Sequence, residues 1–220
     1  MDTFPVKLEN YIEHTVLKPD VTTAELTKLF DEAREHNFLG VCINPQFVKL
    51  AKDSLQGTDV KVVTVIGFPL GANLTEVKMY ESCKALEDGA DELDMVIDLN
   101  AIKDKNYKRA EMDIAGVVKE AKSRKVKVIL ETDLLEKQEI IEACKVCISA
   151  GADFVKTSTG FVKNGVGATI ENVKLMHETV SGSGLLVKAS GGIRDREFAL
   201  RLIEAGAARI GTSSGVKIVN

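Results

Sequence analysis

Two lysines stand where lysine is hard to keep. In ADFVKTSTGF (152–161), Lys156 follows the apolar pair Phe154-Val155 and precedes a run of small hydroxylic residues. In LLVKASGGIR (185–194), Lys188 repeats the order: apolar run, lysine, small residues, paired glycines. An amine attacks carbonyl carbon only when unprotonated, and a free lysine with pKa near 10.4 leaves only about one molecule in 2,500 neutral at pH 7. Burial and a neighbouring ammonium both disfavour the charged form. A fall to about 7 makes roughly half the population reactive, at a cost near 5 kcal/mol carried by the fold. The expected product is a protonated Schiff base, an electron sink for a carbanion at the adjacent carbon. Making or breaking a carbon–carbon bond then needs a proton shuttle, and Asp94 in DELDMVI is the candidate.

The plainer reading of an inward lysine is a structural ion pair, here Lys127 with Glu131 or Glu92, and Asp94 could serve only to neutralise a lysine. Two lysines ending adjacent strands favour the functional reading. A second half of the site reads as an anion pocket. ASGGIRD (189–195) opens a helix at Asp195, and GTSSG (211–215) closes the last strand. Glycine-rich turns expose backbone N–H groups and helix N-termini add positive potential, so phosphate is favoured there, with Arg194, Ser213 and Ser214 as further donors.

These residues need a frame that brings them together. Short β-branched runs alternate with helical patterns along the chain. The candidate strands are 11–17, 39–44, 61–67, 91–97, 126–131, 153–157, 185–189 and 208–212. Glycine follows helices at Gly89, Gly151 and Gly206, and the stretch Asn73 to Glu76 or Asp195 offers N-caps. A joint of the form G-A-[DA] before a strand recurs in DGADELDM, AGADFVKT and AGAARIGT. Eight such βα units predict a single (β/α)₈ (TIM) barrel spanning 1–220, with a doubly wound open sheet as the alternative. Parity then assigns faces. Leu93, Met95, Ile97, Val128, Leu130, Val155, Leu185 and Val187 face the helices; Glu92, Asp94, Val96, Lys127, Ile129, Glu131, Phe154, Lys156, Leu186 and Lys188 face inward. The charged ends converge at the carboxyl mouth, where barrel enzymes keep their chemistry, and loops after strands seven and eight commonly hold phosphate.

Composition excludes several classes. The net charge is −4, with no basic block and 5% aromatics without tryptophan, so nucleic acid is not an expected partner. No stretch approaches a membrane span and MDTFPVKLEN lacks a leader's pattern, so a cytoplasmic home is expected. Cys144 and Cys147 form C-x-x-C within a helical pattern, with no second pair to complete a zinc site, so they and Cys42 and Cys83 are expected as reduced thiols.

The stretches EHTVLKPDVT, VCINP, VTVIGFPLGANLTEVK, DELDMVIDL, VILETD, ADFVKTSTGF, VKASGGIRD and GTSSG together resemble the deoxyribose-phosphate aldolases, class I (Schiff-base) aldolases, over essentially the full length. The resemblance implies reversible cleavage of 2-deoxy-D-ribose 5-phosphate to D-glyceraldehyde 3-phosphate and acetaldehyde, in deoxynucleoside catabolism, without metal or organic cofactor. It implies Lys156 as the Schiff-base lysine, Lys188 as the partner that lowers its pKa and Asp94 as the proton-transfer acid. Gly191, Gly192, Ser213 and Ser214 match the phosphate loops; Thr15 and Cys42 match site-lining positions, with Cys42 a point of inactivation by aldehyde. A homo-oligomer is also implied. Three departures stand out: Glu13 where the family often has aspartate, Phe161 where some members have lysine (here Lys163 follows), and a closing KIVN without the tyrosine some members carry.

Two other classes compete. A sugar-phosphate isomerase would need a carboxylate or histidine base; His36 and His177 read as surface residues and His14 flanks Glu13. A non-catalytic sugar-phosphate sensor would keep the pocket but has no need of Lys156, Lys188 and Asp94 together.

Overall fold

The computed structural model describes residues 7–220. Eight parallel strands run β1 Ile12–Val16, β2 Gly40–Ile43, β3 Lys61–Ile66, β4 Glu92–Val96, β5 Lys125–Ile129, β6 Phe154–Lys156, β7 Leu186–Ser190 and β8 Ala207–Thr212. Each pairs with the next, and β8 returns to β1 through Glu13 opposite Gly211, so the sheet closes into a barrel and the open-sheet alternative is overturned. The helices are α1 Thr23–Glu35, α2 Val48–Ser54, α3 Thr75–Glu87, α4 Leu99–Lys103, α5 Tyr107–Ala121, α6 Lys137–Ser149, α7 Ile170–Val180, α8 Arg196–Glu204 and α9 Gly215–Val219.

Local chemistry accounts for the joints. Thr22 and Glu25 form a reciprocal capping box on α1, and Asp195 accepts from the Phe198 N–H at 2.9 Å to start α8. The expected cap at Asn73 to Glu76 is absent. α3 begins without a side-chain cap because the Thr75 hydroxyl donates instead to Asp113 of α5 at 2.8 Å. Gly89, Gly151 and Gly206 take φ of 105°, 76° and 111°, the left-handed turn that lets each helix stop and drop into the next strand.

The main core lies between strands and helices, and Leu93, Met95, Ile97, Val128, Leu130, Val155 and Val187 all sit in it, as parity requires. Cys144 and Cys147 pack there too, and burial pushes the Cys144 thiol up to about 12. A smaller apolar cluster, Leu17, Cys42, Val63 and Val65 with Phe68, fills the inside of the barrel on the β1–β3 side. Leu186 departs from its inward expectation: it is 44% exposed, because as the first residue of β7 it lies at the amino-terminal rim. The exit of β4 is fixed from outside the barrel. Buried Lys78 of α3 donates to the Val96 carbonyl at 3.0 Å and pairs with Asp113 at 2.5 Å, tying α3 and α5 to the strand that carries Asp94.

Candidate active site

Parity sends Asp94, Lys127, Lys156 and Lys188 into the barrel, and register decides which of them touch. Asp94 lies opposite Lys127 across β4 and β5, and Lys156 opposite Lys188 across β6 and β7. Three lysines therefore converge on one carboxylate. Lys156 Nζ donates to Asp94 Oδ2 at 2.7 Å, Lys188 Nζ to the same oxygen at 2.6 Å, and Lys127 Nζ to Oδ1 at 2.9 Å. Below them Lys127 pairs with Glu92 at 2.7 Å, Lys188 is hydrogen-bonded to Glu13, and Arg209 Nε lies 3.8 Å from Glu13. The structural pairing expected of Lys127 holds for Glu92 but not for Glu131, whose carboxylate is turned to Thr159.

The electrostatics follow from crowding opposite charges in a dry space. Burial alone would raise the Asp94 carboxyl, but Lys127, Lys156 and Lys188 outweigh it and hold the pKa well below the carboxylate range. Burial disfavours the Lys188 ammonium, yet Asp94 and Glu13 hold its pKa above the ordinary lysine value, so it keeps its proton. The same competition raises Lys127, through Asp94, Glu13 and Glu92. Burial pushes the Cys42 thiol up, although Lys188 opposes it.

One cavity, about 230 Å³, opens on this cluster. Lys156 lines it; Lys188, Asp94 and Lys127 do not. The other wall is built by Gly191, Gly192 and Arg194 after β7 and by Gly211 and Ser213 at the end of β8, with Thr15 and Leu17 from β1. Glycine is obligatory at two of these places: Gly191 (φ 90°) would put a Cβ 2.9 Å from the Gly167 Cα, and Gly192 (φ 74°) one 2.7 Å from the Val166 carbonyl oxygen. Of the remaining expected positions, Cys42 lies fully buried inside the barrel below the cavity, and Ser214 stands behind Ser213 at the start of α9.

A family model of DeoC/LacD family aldolases matches residues 9–220. The chain belongs to this aldolase family. It is 58% identical over 217 residues to a deoxyribose-phosphate aldolase of Thermococcus kodakarensis, covering 97% of this chain and 96% of the relative. A deoxyribose-phosphate aldolase of Clostridium tetani is 54% identical over 215 residues, covering 97% and 98%. Among solved structures, a deoxyribose phosphate aldolase from Aeropyrum pernix, described as a unique tetramer, superposes with a TM-score of 0.86 at 37% identity, covering 96% of this chain and 89% of that one.

Within this aldolase the histidines stand away from the cavity. His14 points outward from β1, its Nε2 2.7 Å from Glu32 of α1 and its ring edge-on to Phe38, and His177 is exposed beside Gly206. Glu13, Cys42 and Asp94 bring three donor atoms within 4.8 Å of one another, but the ammonium groups on both carboxylates would repel a cation there. Sequence reasoning did not anticipate Lys127 as a third partner of Asp94, nor Ser158, Thr159 and Ser190 on the cavity wall. The signal for the last three was present in the small hydroxylic residues flanking each lysine. Phe161 also lines the cavity, its ring edge-on to Phe68 at a centroid distance of 5.1 Å.

Proposed function

We propose that this aldolase reversibly cleaves 2-deoxy-D-ribose 5-phosphate to D-glyceraldehyde 3-phosphate and acetaldehyde through an imine on Lys156. The observation that carries the residue assignment is that Lys156 alone of the three clustered lysines reaches the cavity. Four cations, Lys127, Lys156, Lys188 and Arg209, face three carboxylates, Glu13, Glu92 and Asp94. An excess of one positive charge favours a neutral amine somewhere in the cluster, and Lys156 is the amine that a substrate can reach. Lys188, kept protonated by Asp94 and Glu13, is the neighbouring cation that favours this state.

The chemistry then runs in order. Lys156 Nζ adds to the substrate's C1 aldehyde and water leaves, giving a protonated imine. A base takes the proton of the C3 hydroxyl, the C2–C3 bond breaks, and its electron pair moves to the iminium nitrogen as an enamine. Glyceraldehyde 3-phosphate departs, C2 takes up a proton, and water releases acetaldehyde and the free amine. Asp94, shared between Lys156 and Lys188, is the group through which these protons pass, directly or by water. Arg194, the amides around Gly191 and Gly192, and the Ser213 and Ser214 region would hold the phosphate, which favours a sugar phosphate over a free sugar.

Replacing Lys156 with leucine tests this reading: turnover of deoxyribose 5-phosphate should vanish while the melting curve persists, and retained turnover would sink it. A sugar-phosphate isomerase finds no histidine base at the cavity, and a sensor leaves three buried lysines without a task. Among the described residues no helix is long and apolar enough to cross a membrane. Assembly of this catalytic domain as a homo-oligomer is part of the proposal, supported by the tetramer described for the Aeropyrum relative.

A further inference from the structure

Glu131 carries two anomalies that the mechanism does not use. It is a non-glycine residue in the left-handed region, at φ 59° and ψ 64°, and its carboxylate is buried just past the end of β5 and, among the described residues, forms no salt bridge. Left-handed backbone at a side-chain-bearing residue persists only where the surroundings over-determine it, and such residues gather at functional sites. Burial pushes this carboxyl up, while hydrogen bonds from Thr159 pull the other way.

The reason for the conformation is what the turn delivers. The Thr159 N–H donates to Glu131 Oε1 at 3.1 Å and the Thr159 hydroxyl donates to Oε2. Thr159 Oγ1 in turn accepts from the Phe161 N–H at 3.0 Å. One carboxylate thus organises the loop 157–161, which begins immediately after Lys156 and supplies Thr159, Gly160 and Phe161 to the cavity. The neighbouring Asp133 reinforces the same loop further on, accepting from the Val166 and Gly167 N–H groups at 2.8 and 3.0 Å. Gly167 packs directly on Gly191, and Ala168 donates to the Gly191 carbonyl at 3.0 Å. The short β5 loop therefore sets the β6 loop, which abuts the anion loop after β7.

We infer that Glu131 is a positioning residue for the acceptor half of the site: through Thr159 it fixes the loop wall against which the glyceraldehyde 3-phosphate portion lies, without taking part in imine formation. This rests on the Lys156 imine reading. Its signature is a split. The donor step, imine formation with acetaldehyde, depends on Lys156, Lys188 and Asp94, which hydrogen-bond to one another, whereas the Glu131 carboxylate hydrogen-bonds to Thr159. Binding of the phosphorylated sugar depends on the loop, and displacing a wall by about an ångström costs an order of magnitude or more.

The test compares Glu131→Gly and Glu131→Gln with the parent enzyme. Glycine adopts the left-handed backbone without strain, so it removes the carboxylate while keeping the turn. Glutamine keeps the length and one acceptor oxygen and should recover part of the loss. The expected result for Glu131→Gly is a KM for deoxyribose 5-phosphate raised about tenfold, with borohydride trapping of acetaldehyde on Lys156 within about twofold of the parent. Thr159→Val should raise KM similarly, and combining it with Glu131→Gly should add little. If trapping falls as steeply as KM rises, or if neither changes while the parent traps normally, the inference is overturned. Should Glu131→Gly fail to fold, Glu131→Gln carries the same comparison. If the parent itself does not trap acetaldehyde, the imine reading fails instead. The inference is then judged by calorimetric binding of deoxyribose 5-phosphate: about tenfold weakening in the variant supports it and an unchanged Kd overturns it.

Discussion

The role given to Lys188 can be worked from two bonds. Lys156 and Lys188 donate to the same Asp94 oxygen at 2.7 and 2.6 Å, so their nitrogens are at most about 5.3 Å apart, the two bonds laid end to end. At an effective dielectric near 20, two unit charges at that separation repel by about 3 kcal/mol, or roughly two pK units. Lys188→Met removes the repelling ammonium and keeps most of the volume. The sign follows directly: without the neighbouring cation the protonated form of the Lys156 amine is easier to keep. The acid limb of kcat/KM should therefore move to higher pH by about two units, with activity at pH 7 falling about 100-fold and recovering in alkali. The assay is the pH profile of deoxyribose 5-phosphate cleavage with glyceraldehyde 3-phosphate read by a coupling enzyme. Glu13 loses its closest partner in this variant, keeping only Lys127 at 3.5 Å and Arg209 at 3.8 Å, so a melting curve must show the protein folded at each pH. A rate loss equal at every pH, with the limb unmoved, would refute the reasoning.

Other perturbations discriminate among the parts. Asp94→Asn should lower kcat by about 10²–10⁴-fold, and a rise in KM alone would show a binding role instead. Because the folded pKa of Asp94 is depressed, its contribution to stability is complete above the unfolded carboxyl value near 3.9 and is lost as pH falls through the folded value. The parent should thus show a loss of stability in acid that Asp94→Asn lacks, measured as melting temperature against pH. Gly192→Ala must hold φ 74° with its Cβ 2.7 Å from the Val166 carbonyl oxygen, so KM for the phosphorylated sugar should rise more than KM for free 2-deoxyribose. Lys78→Met leaves Asp113 buried without its cation, and should cost about 3–5 kcal/mol, roughly 10 °C in melting temperature, by thermal denaturation.

Much of this arrangement is legible in the sequence, and the limits have physical causes. Strand parity places Asp94, Lys156 and Lys188 inside the barrel, because the side-chain period of a strand is two and the outward Leu93, Met95 and Val155 mark the core face. Parity gives a side but not a partner. That Lys127 meets Asp94 rather than Glu131 depends on the register of β4 against β5 and on the left-handed turn at Glu131, neither of which hydrophobic pattern encodes. α4 and α9 span five residues each, too short to show a helical period, and α3 starts on a tertiary bond rather than a local cap. Glu13 and Arg209, which complete the charge balance, meet only because β8 closes on β1.

The central claim is that Lys156 forms the imine, and reductive trapping tests it most directly. The enzyme is incubated with acetaldehyde, reduced with borohydride, digested and mapped by mass. The account predicts a two-carbon adduct on the peptide carrying Lys156, and none on the peptides carrying Lys127 or Lys188. An adduct on Lys188 would reverse the two roles, and a folded protein with no adduct would contradict the mechanism altogether.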